Sequence, residues 1–241
     1  MTPRSGSSWL TEMARESGEL GTPQEWLNYG FLNSEKQVLG CKSARMLNIT
    51  DINTFVRSVV EDYRSPRRLI GIEMAMWNLE MMSGLLQSRA DAVRSIKCFF
   101  SLRRRNILKQ AISSYRSDFT GYYHSFQTDL NARERFDSLP YSAEAILNCV
   151  RILIENEKRM ADTFFSCNIE SKQIWYEDLV NDPAAVMSWM VKCISGEEIK
   201  VKDPKPGEMR RISDDTSRLW HDRMREEHGS TISELEVGRP G

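Results

Sequence analysis

The sequence lacks the features that mark a membrane, disulfide or metal protein. No apolar run approaches the ~20 residues that a membrane-spanning helix needs, and the polar amino terminus has no apolar segment of the signal-peptide kind. The five cysteines form no Cys-x-x-Cys pair, and the three histidines do not cluster at metal-ligand spacing. We therefore expect reduced thiols, no bound metal and a cytoplasmic location.

The chain also lacks a strong excess of charge of either sign. A formal net charge of −1 over 241 residues gives no overall attraction to nucleic acid or to an anionic membrane, so any anion site must be local. Hydrophobic residues make up 40% and charged residues 28%, a balance typical of folded globular proteins. The totals predict one α/β domain over residues 1–233 with a substantial core, and a disordered polar tail over residues 234–241.

The most informative stretch that is present is the amino-terminal loop. Residues 2–8 read Thr-Pro-Arg-Ser-Gly-Ser-Ser and open directly onto an apolar helical pattern that Gly18 is placed to end. Such a loop directs several backbone N–H groups at one point, beside the positive end of the helix macrodipole. The pattern predicts a phosphate or sulfate site. A glycine that permits close approach, an arginine and three hydroxyl groups contribute to it: Gly6, Arg4, Ser5, Ser7 and Ser8.

Two other interpretations of this loop stay open. A flexible amino-terminal tail followed by an ordinary capped helix fits the same composition. A P-loop kinase-like nucleotide-binding protein is the other alternative. Against it, no lysine precedes the last hydroxyl residue of the loop, and the nucleotide triphosphatase signature requires one there.

A second charged motif follows the best strand pattern in the chain, at residues 95–102. Three consecutive arginines, Arg103, Arg104 and Arg105, come directly after it and precede a predicted helix. Positive charges at a helix amino terminus oppose the helix dipole unless an anion lies nearby. The planar fork of arginine also suits phosphate oxygens. This corner therefore predicts a second anion site, with a solvated helix start as the alternative.

The two motifs together resemble those of sulfotransferases, most of all the bacterial family typified by trehalose 2-sulfotransferase. The resemblance runs from Thr2 to about Trp220. It implies a P-loop-like three-layer α/β sandwich around a mostly parallel sheet of four or five strands. The strand that normally precedes such a loop is missing from this sequence. The implied activity is transfer of a sulfuryl group from 3′-phosphoadenosine 5′-phosphosulfate (PAPS) to a hydroxyl of a carbohydrate or glycolipid, without a metal, and the implied assembly is a homodimer.

The resemblance also implies donor-binding roles for particular residues. The amino-terminal loop would hold the 5′-phosphosulfate, and Arg4 would in addition stabilise the charge that develops during transfer. An arginine after the strand and a hydroxyl about two helical turns later would bind the 3′-phosphate, and a basic carboxyl-terminal loop would close over it. The matching positions at this second end of the donor are Arg104, Arg105, Ser113 and Arg211.

Two glutamates bear on catalysis. Residues 21–25 match the family pattern Gly-x-Pro-x-Glu, which implies that Glu25 accepts the proton of the acceptor hydroxyl. A solvated glutamate near a helix start is the alternative for this residue. Glu73 stands where the family usually has a lysine, and a carboxylate there would weaken binding of an anionic donor if it faces the site. A donor-binding but catalytically impaired homologue is therefore the alternative function.

The rest of the chain alternates between helical and strand patterns. We predict a loop or lid with stacking aromatic residues over residues 115–140, and Asp182 is expected to cap a helix that begins at Pro183. The other predicted elements are helices over residues 52–63 and 142–165, strands over residues 69–73 and 174–176, and a last helix that contains Leu219, Trp220 and Met224.

Overall fold

The computed structural model describes residues 1–25, 61–76, 78–80, 83, 96–205, 207, 210 and 212–240. The elements that lie wholly in these ranges are α1 (Ser7–Ser17), β1 (Phe99–Arg103), α2 (Ile107–Thr120), α3 (Leu130–Ser138), α4 (Ala143–Ser166), β2 (Ser171–Trp175), α5 (Tyr176–Asn181), α6 (Pro183–Ser195) and α7 (Asp215–Val237). None of these helices is long and apolar enough to cross a membrane. Most of the predicted helix over residues 52–63 lies outside the described residues.

The two strands form a parallel pair, as expected for an α/β fold. Their register runs from Phe99 opposite Ser171 to Arg103 opposite Trp175. A parallel pair needs a crossover connection, which α2, α3 and α4 provide here. Both strands were predicted close to these positions. Because the strands are parallel, the residues that follow them emerge side by side at one edge of the sheet.

The strand predicted over residues 69–73 is wrong. In the described part of the chain this segment makes one isolated parallel bridge, between Gln24 and Ile72. The amide of Glu73 donates to the carbonyl oxygen of Gln24 at 2.9 Å, but the amide of Thr22 donates to the carbonyl oxygen of Tyr63 at 2.9 Å and so does not extend the pairing. The segment is therefore held beside residues 20–24 without becoming a strand.

Two hydrophobic clusters surround this frame. Helices α2, α4 and α7 pack together through apolar side chains that include Ile107, Ile146 and Met224, all fully buried. The other cluster joins α1 and α6 to the two strands through side chains that include Met13, Leu102 and Val191. The second cluster fixes the amino-terminal loop against the carboxyl ends of the strands.

The helix ends follow the capping signals in the sequence. Helix α1 ends at Gly18, whose φ of 71° is left-handed, as the glycine at that position predicts. The side chain of Asp182 accepts a hydrogen bond from the amide of Ala185 at 2.9 Å, and Pro183 is the first residue of α6. Ser142 caps the long helix α4 in the same way. The helix end predicted at Gly18 and the cap predicted at Asp182 are confirmed.

The loop predicted over residues 115–140 is wrong for much of its length. Helix α2 continues to Thr120, and α3 adds a further nine residues. The side chain of Asp129 caps α3 through the amide of Ala132. Ala132 and Phe136 lie one helical turn apart and are buried against Tyr122. The short loop over residues 121–129 is what remains of the predicted lid.

The carboxyl-terminal segment also differs from the expected disordered tail. Helix α7 continues through residues 234–237, and Ile232 in its last part is fully buried. Beyond the helix, the side chain of Arg239 reaches the buried carboxylate of Glu157. Burial of apolar side chains of α7 against α2 and α4 stabilises this helix on both sides of a kink at His228, where the backbone is not helical.

Candidate active site

A cavity of about 970 Å³ lies where the amino-terminal loop, the carboxyl ends of the strands and the start of α2 meet. The structure brings both predicted anion-binding corners to this cavity. The predicted site residues that line it are Arg4, Gly6, Ser7, Ser8, Arg104, Arg105 and Ser113. Ser5 and Glu25 do not line it, and Arg211 lies outside the described residues.

The loop itself has an unusual backbone. Arg4 has φ of 56° and Gly6 has φ of 100°, so two residues of the turn are left-handed. Gly6 is the residue before the first turn of α1, and no side chain caps that helix end. The amides of the first turn are therefore left to water or to an anion in the cavity. The hydroxyl of Ser5 is buried and has no hydrogen-bond partner among the described residues.

Tyr176 explains why the turn needs a glycine. A Cβ atom placed on Gly6 would lie 2.2 Å from Cδ2 of Tyr176 and 2.7 Å from its Cε2. Tyr176 follows β2 directly, and the guanidinium of Arg104, which follows β1, lies 4.4 Å from the centroid of its ring. The parallel register of the strands thus places the ring between the loop and the arginine corner.

Arg4 connects the two predicted corners. Its Nε donates to Oγ of Ser113 at 3.0 Å, and its Nη1 donates to the carbonyl oxygen of Tyr123 at 2.8 Å. Burial, and next the positive charge of Arg104, lower the pKa of Arg4. A guanidinium keeps its charge under such a shift. This region of the cavity therefore holds two cations whose repulsion a bound anion would relieve.

Arg104 and Arg105 have different surroundings. The Nη1 of Arg104 donates to the carbonyl oxygen of Arg4 at 3.3 Å, which holds its side chain against the loop. Arg105 instead makes a two-pronged pair with the carboxylate of Asp178 at 2.7 and 2.8 Å. That hydrogen-bonded pair raises the pKa of Arg105 and is largely exposed. Of the two arginines, Arg104 is the one directed at the loop.

The side chain of Gln110 anchors the start of the chain to α2. Its Nε2 donates to Oγ1 of Thr2 at 3.0 Å and to the carbonyl oxygen of Pro3 at 2.6 Å. The glutamine is fully buried, so these bonds are shielded from water. They fix the loop relative to the helix that carries Ser113.

Comparison with known proteins identifies the family. A model of the Stf0 sulphotransferase family matches residues 1–227. The chain belongs to this family. The family resemblance predicted from the two motifs is thereby confirmed. A search of curated proteins found no match. The cavity between loop and arginine corner is the candidate active site of this sulfotransferase.

The two glutamates of the sulfotransferase lie next to each other at the isolated bridge. Gln24 pairs with Ile72 in a parallel bridge. Glu25 and Glu73 are the next residues of the two segments, so they lie side by side. The hydroxyl of Ser7 lies close enough to Glu73 to lower the pKa of its carboxyl group, against the larger effect of burial, so this group faces the amino-terminal loop. The lysine-to-glutamate departure noted in the sequence therefore places a carboxyl group at the loop itself.

Burial, and to a smaller extent the charge of Glu25, raise the pKa of Glu73 from 4.5 to about 7. Since this pKa is higher in the folded chain than in the unfolded chain, the contribution to stability is complete below about pH 4.5 and is lost as the pH rises through about 7. We expect Glu73→Gln to raise the free energy of unfolding at pH 8, relative to the unmodified protein, by on the order of 2 kcal/mol, with little change at pH 4.5.

Urea unfolding of both proteins at pH 4.5 and pH 8 measures this difference. The control is Glu226→Gln, which removes an exposed carboxylate of α7 and should alter neither stability nor its pH dependence. An unchanged dependence of stability on pH in Glu73→Gln would show that Glu73 is not the group responsible.

Several residues of the site carry no motif that sequence reasoning recognised. The sequence pattern predicts Tyr176 as the last residue of a strand, but the structure places it directly after β2, where residues reach the carboxyl edge of a parallel sheet. His124 lines the cavity, stacked on Phe126 with ring centroids 5.0 Å apart, and burial together with the charge of Arg4 lowers its pKa. Among the described residues, no group of histidine, cysteine, aspartate and glutamate side chains is arranged to hold a metal ion.

Proposed function

We propose that this member of the Stf0 family transfers a sulfuryl group from PAPS to a hydroxyl of a carbohydrate or glycolipid acceptor. The observation that carries the proposal is the convergence of loop and arginine corner on one cavity, with Arg4 bonded to Ser113 across it. Arg4 and Ser113 are 109 residues apart in the chain. A donor that carries phosphate groups at both the 3′ and the 5′ positions of one ribose would bind to both anion sites at once.

The residues present fit the donor in their chemistry. The turn at Gly6 directs first-turn amides of α1 into the cavity and has no room for a side chain on the face toward Tyr176. At this end, Ser7, Ser8 and Arg4 would hold the 5′-phosphosulfate. At the other end, Arg104 and Ser113 would bind the 3′-phosphate, and we include Arg105, Arg211 and Ser5 in the proposed donor site on the family pattern alone.

The proposed reaction is a single displacement at sulfur. The acceptor oxygen forms the new bond to sulfur, while the bond from sulfur to the bridging phosphate oxygen breaks and that oxygen keeps the electron pair. The acceptor proton passes to the carboxylate of Glu25. Arg4 and the loop amides stabilise the charge that develops on the leaving oxygen. The remaining contribution is positioning, and the step uses no metal.

The proposal extends to the architecture and setting of the enzyme. It includes one sulfotransferase domain over residues 1–233, with a three-layer, P-loop-like arrangement around a parallel sheet of four or five strands, of which the described residues contain two. A homodimer in the cytoplasm is part of the same proposal.

A second candidate function is donor binding without efficient transfer. The contact between Glu73 and Ser7 favours it, because an ionised carboxylate at the loop repels an anionic donor. The group is partly neutral near pH 7, so the repulsion weakens at lower pH. The two functions therefore differ in whether bound donor turns over.

Turnover of PAPS carrying radiolabelled sulfate, with a panel of sugars and glycolipids as acceptors, tests the proposal. We expect label to appear in at least one acceptor, with adenosine 3′,5′-bisphosphate as the second product. Bisphosphate binding in the absence of any labelled acceptor would favour the impaired homologue. Binding of ATP with Mg²⁺ in preference to the bisphosphate would contradict the sulfotransferase proposal.

A further inference from the structure

One buried carboxylate, that of Glu157, binds both Arg103 of the arginine corner and Arg239 near the carboxyl-terminal end of the chain. Glu157 on α4 is 1% exposed and lies between two guanidinium groups. Nη2 of Arg103 donates to its Oε2 at 2.9 Å. Arg239 donates to the same oxygen through Nε at 3.0 Å and to Oε1 through Nη2 at 2.7 Å. Arg239 therefore makes a two-pronged pair with a carboxylate that water does not reach.

The same guanidinium also binds the backbone of the corner. Its Nη2 donates to the carbonyl oxygen of Arg104 at 2.8 Å, and its Nη1 donates to the carbonyl oxygen of Arg105 at 3.0 Å. In the reverse direction, Nη2 of Arg103 donates to the carbonyl oxygen of Pro240 at 2.6 Å. Residues 103–105 and residues 239–240 therefore hold each other in place through hydrogen bonds from both side chains to the backbone.

The carbonyl groups that Arg239 contacts lie at the end of the sheet. The pairing of β1 with β2 ends at Arg103, so Arg104 and Arg105 lie just past the last residue pair of the sheet. Arg239 supplies hydrogen bonds to the backbone at the two positions where the sheet ends. Fixing those peptide groups fixes the direction in which the side chain of Arg104 leaves the backbone and reaches the ring of Tyr176.

We propose that Arg239 is a positioning residue for donor binding, which acts by holding the backbone of Arg104 and Arg105 against the buried carboxylate of Glu157. The inference rests on the proposed function, because it assigns a purpose to a corner that would bind the 3′-phosphate of the donor. It differs from a general stabilising role, since the residue fixes the geometry of one end of the donor site. A shift in donor affinity at unchanged catalytic rate is its signature.

Titration of adenosine 3′,5′-bisphosphate into Arg239→Ala and Arg239→Lys tests the inference, together with KM for PAPS and kcat. We expect the dissociation constant and the KM for donor to rise roughly tenfold in Arg239→Ala, the size of effect that one or two lost hydrogen bonds carry. The value of kcat at saturating donor should remain close to that of the unmodified protein. Arg239→Lys keeps the charge but not the fork of donors, so it should bind nearly as weakly.

The control is Arg223→Ala, which removes an exposed arginine of α7 from its pair with Glu227. It should change neither constant. Donor affinity equal to that of the unmodified protein, in Arg239→Ala or in Arg239→Lys, would overturn the inference, even with a lowered melting temperature. If Arg239→Ala does not fold, Arg239→Lys decides. Absence of bisphosphate binding by the unmodified protein would overturn the proposed function as well, so the two failures are distinguishable.

Discussion

Gly6→Ala is expected to weaken binding of adenosine 3′,5′-bisphosphate by at least about a hundredfold, which corresponds to about 2.7 kcal/mol. Two physical causes act together. The left-handed φ of 100° is unfavourable for alanine, and the new Cβ atom would lie 2.2 Å from the ring of Tyr176. The loop and the ring must move apart. Because that ring also contacts the guanidinium of Arg104, the change disturbs both ends of the proposed donor site.

Gly18→Ala is the matched control for this variant. Gly18 also has a left-handed φ, of 71°, but no atom lies within 4 Å of a Cβ placed there. It therefore carries the backbone strain without the collision, and we expect a loss of stability of about 1 kcal/mol with unchanged bisphosphate binding. Calorimetric titration and thermal unfolding measure both quantities. Equal bisphosphate affinity in Gly6→Ala and Gly18→Ala would contradict the role given to the turn.

Glu25→Gln is expected to lower kcat by about 10²- to 10⁴-fold, the contribution of a positioned general base. The amide cannot accept the acceptor proton as a carboxylate does, although it has the same shape. Bisphosphate affinity should stay within about twofold of the unmodified protein, because Glu25 does not line the donor cavity. Transfer of labelled sulfate in a single turnover, with the donor saturating and the enzyme in excess over the acceptor, measures the rate of the chemical step directly.

Glu73→Gln serves as the comparison for that experiment, because Glu73 is the neighbouring carboxyl group. We expect this variant to keep its turnover and to bind the donor as well as or better than the unmodified protein at pH 8, since it removes a negative charge that faces Ser7. If Glu73→Gln abolished transfer while Glu25→Gln did not, the general base would have been assigned to the wrong glutamate.

Short-range signals in the sequence predicted much of the fold. The helices that begin after Asn106, Ser142 and Asp182 have side-chain caps, and local hydrogen bonds of this kind depend only on neighbouring residues. The strand predicted at residues 69–73 and the lid at residues 115–140 were wrong for a different reason. Pairing of residues 69–73 depends on where the distant residues Thr22 and Gln24 make their backbone hydrogen bonds, and the extent of α3 depends on burial against Tyr122.

The site could be predicted where it depends on a contiguous motif. Residues of both predicted corners line one cavity because a turn or a strand end places neighbouring residues together. Tyr176 and Arg239 were missed because their contacts join distant parts of the chain. Arg239 contacts a carboxylate 82 residues away and carbonyl groups more distant still. The pattern of helix α7 gives no indication of what lies beyond its end.

The central claim is that one nucleotide spans the amino-terminal loop and the arginine corner. Titration of the unmodified protein with adenosine 3′,5′-bisphosphate, adenosine 5′-monophosphate and adenosine 3′-monophosphate tests this claim most directly. We predict that the bisphosphate binds at least about a hundredfold more tightly than either monophosphate, because each monophosphate leaves one anion site without its charge-assisted hydrogen bonds. Failure of the bisphosphate to bind, or binding no tighter than that of the better monophosphate, would contradict it.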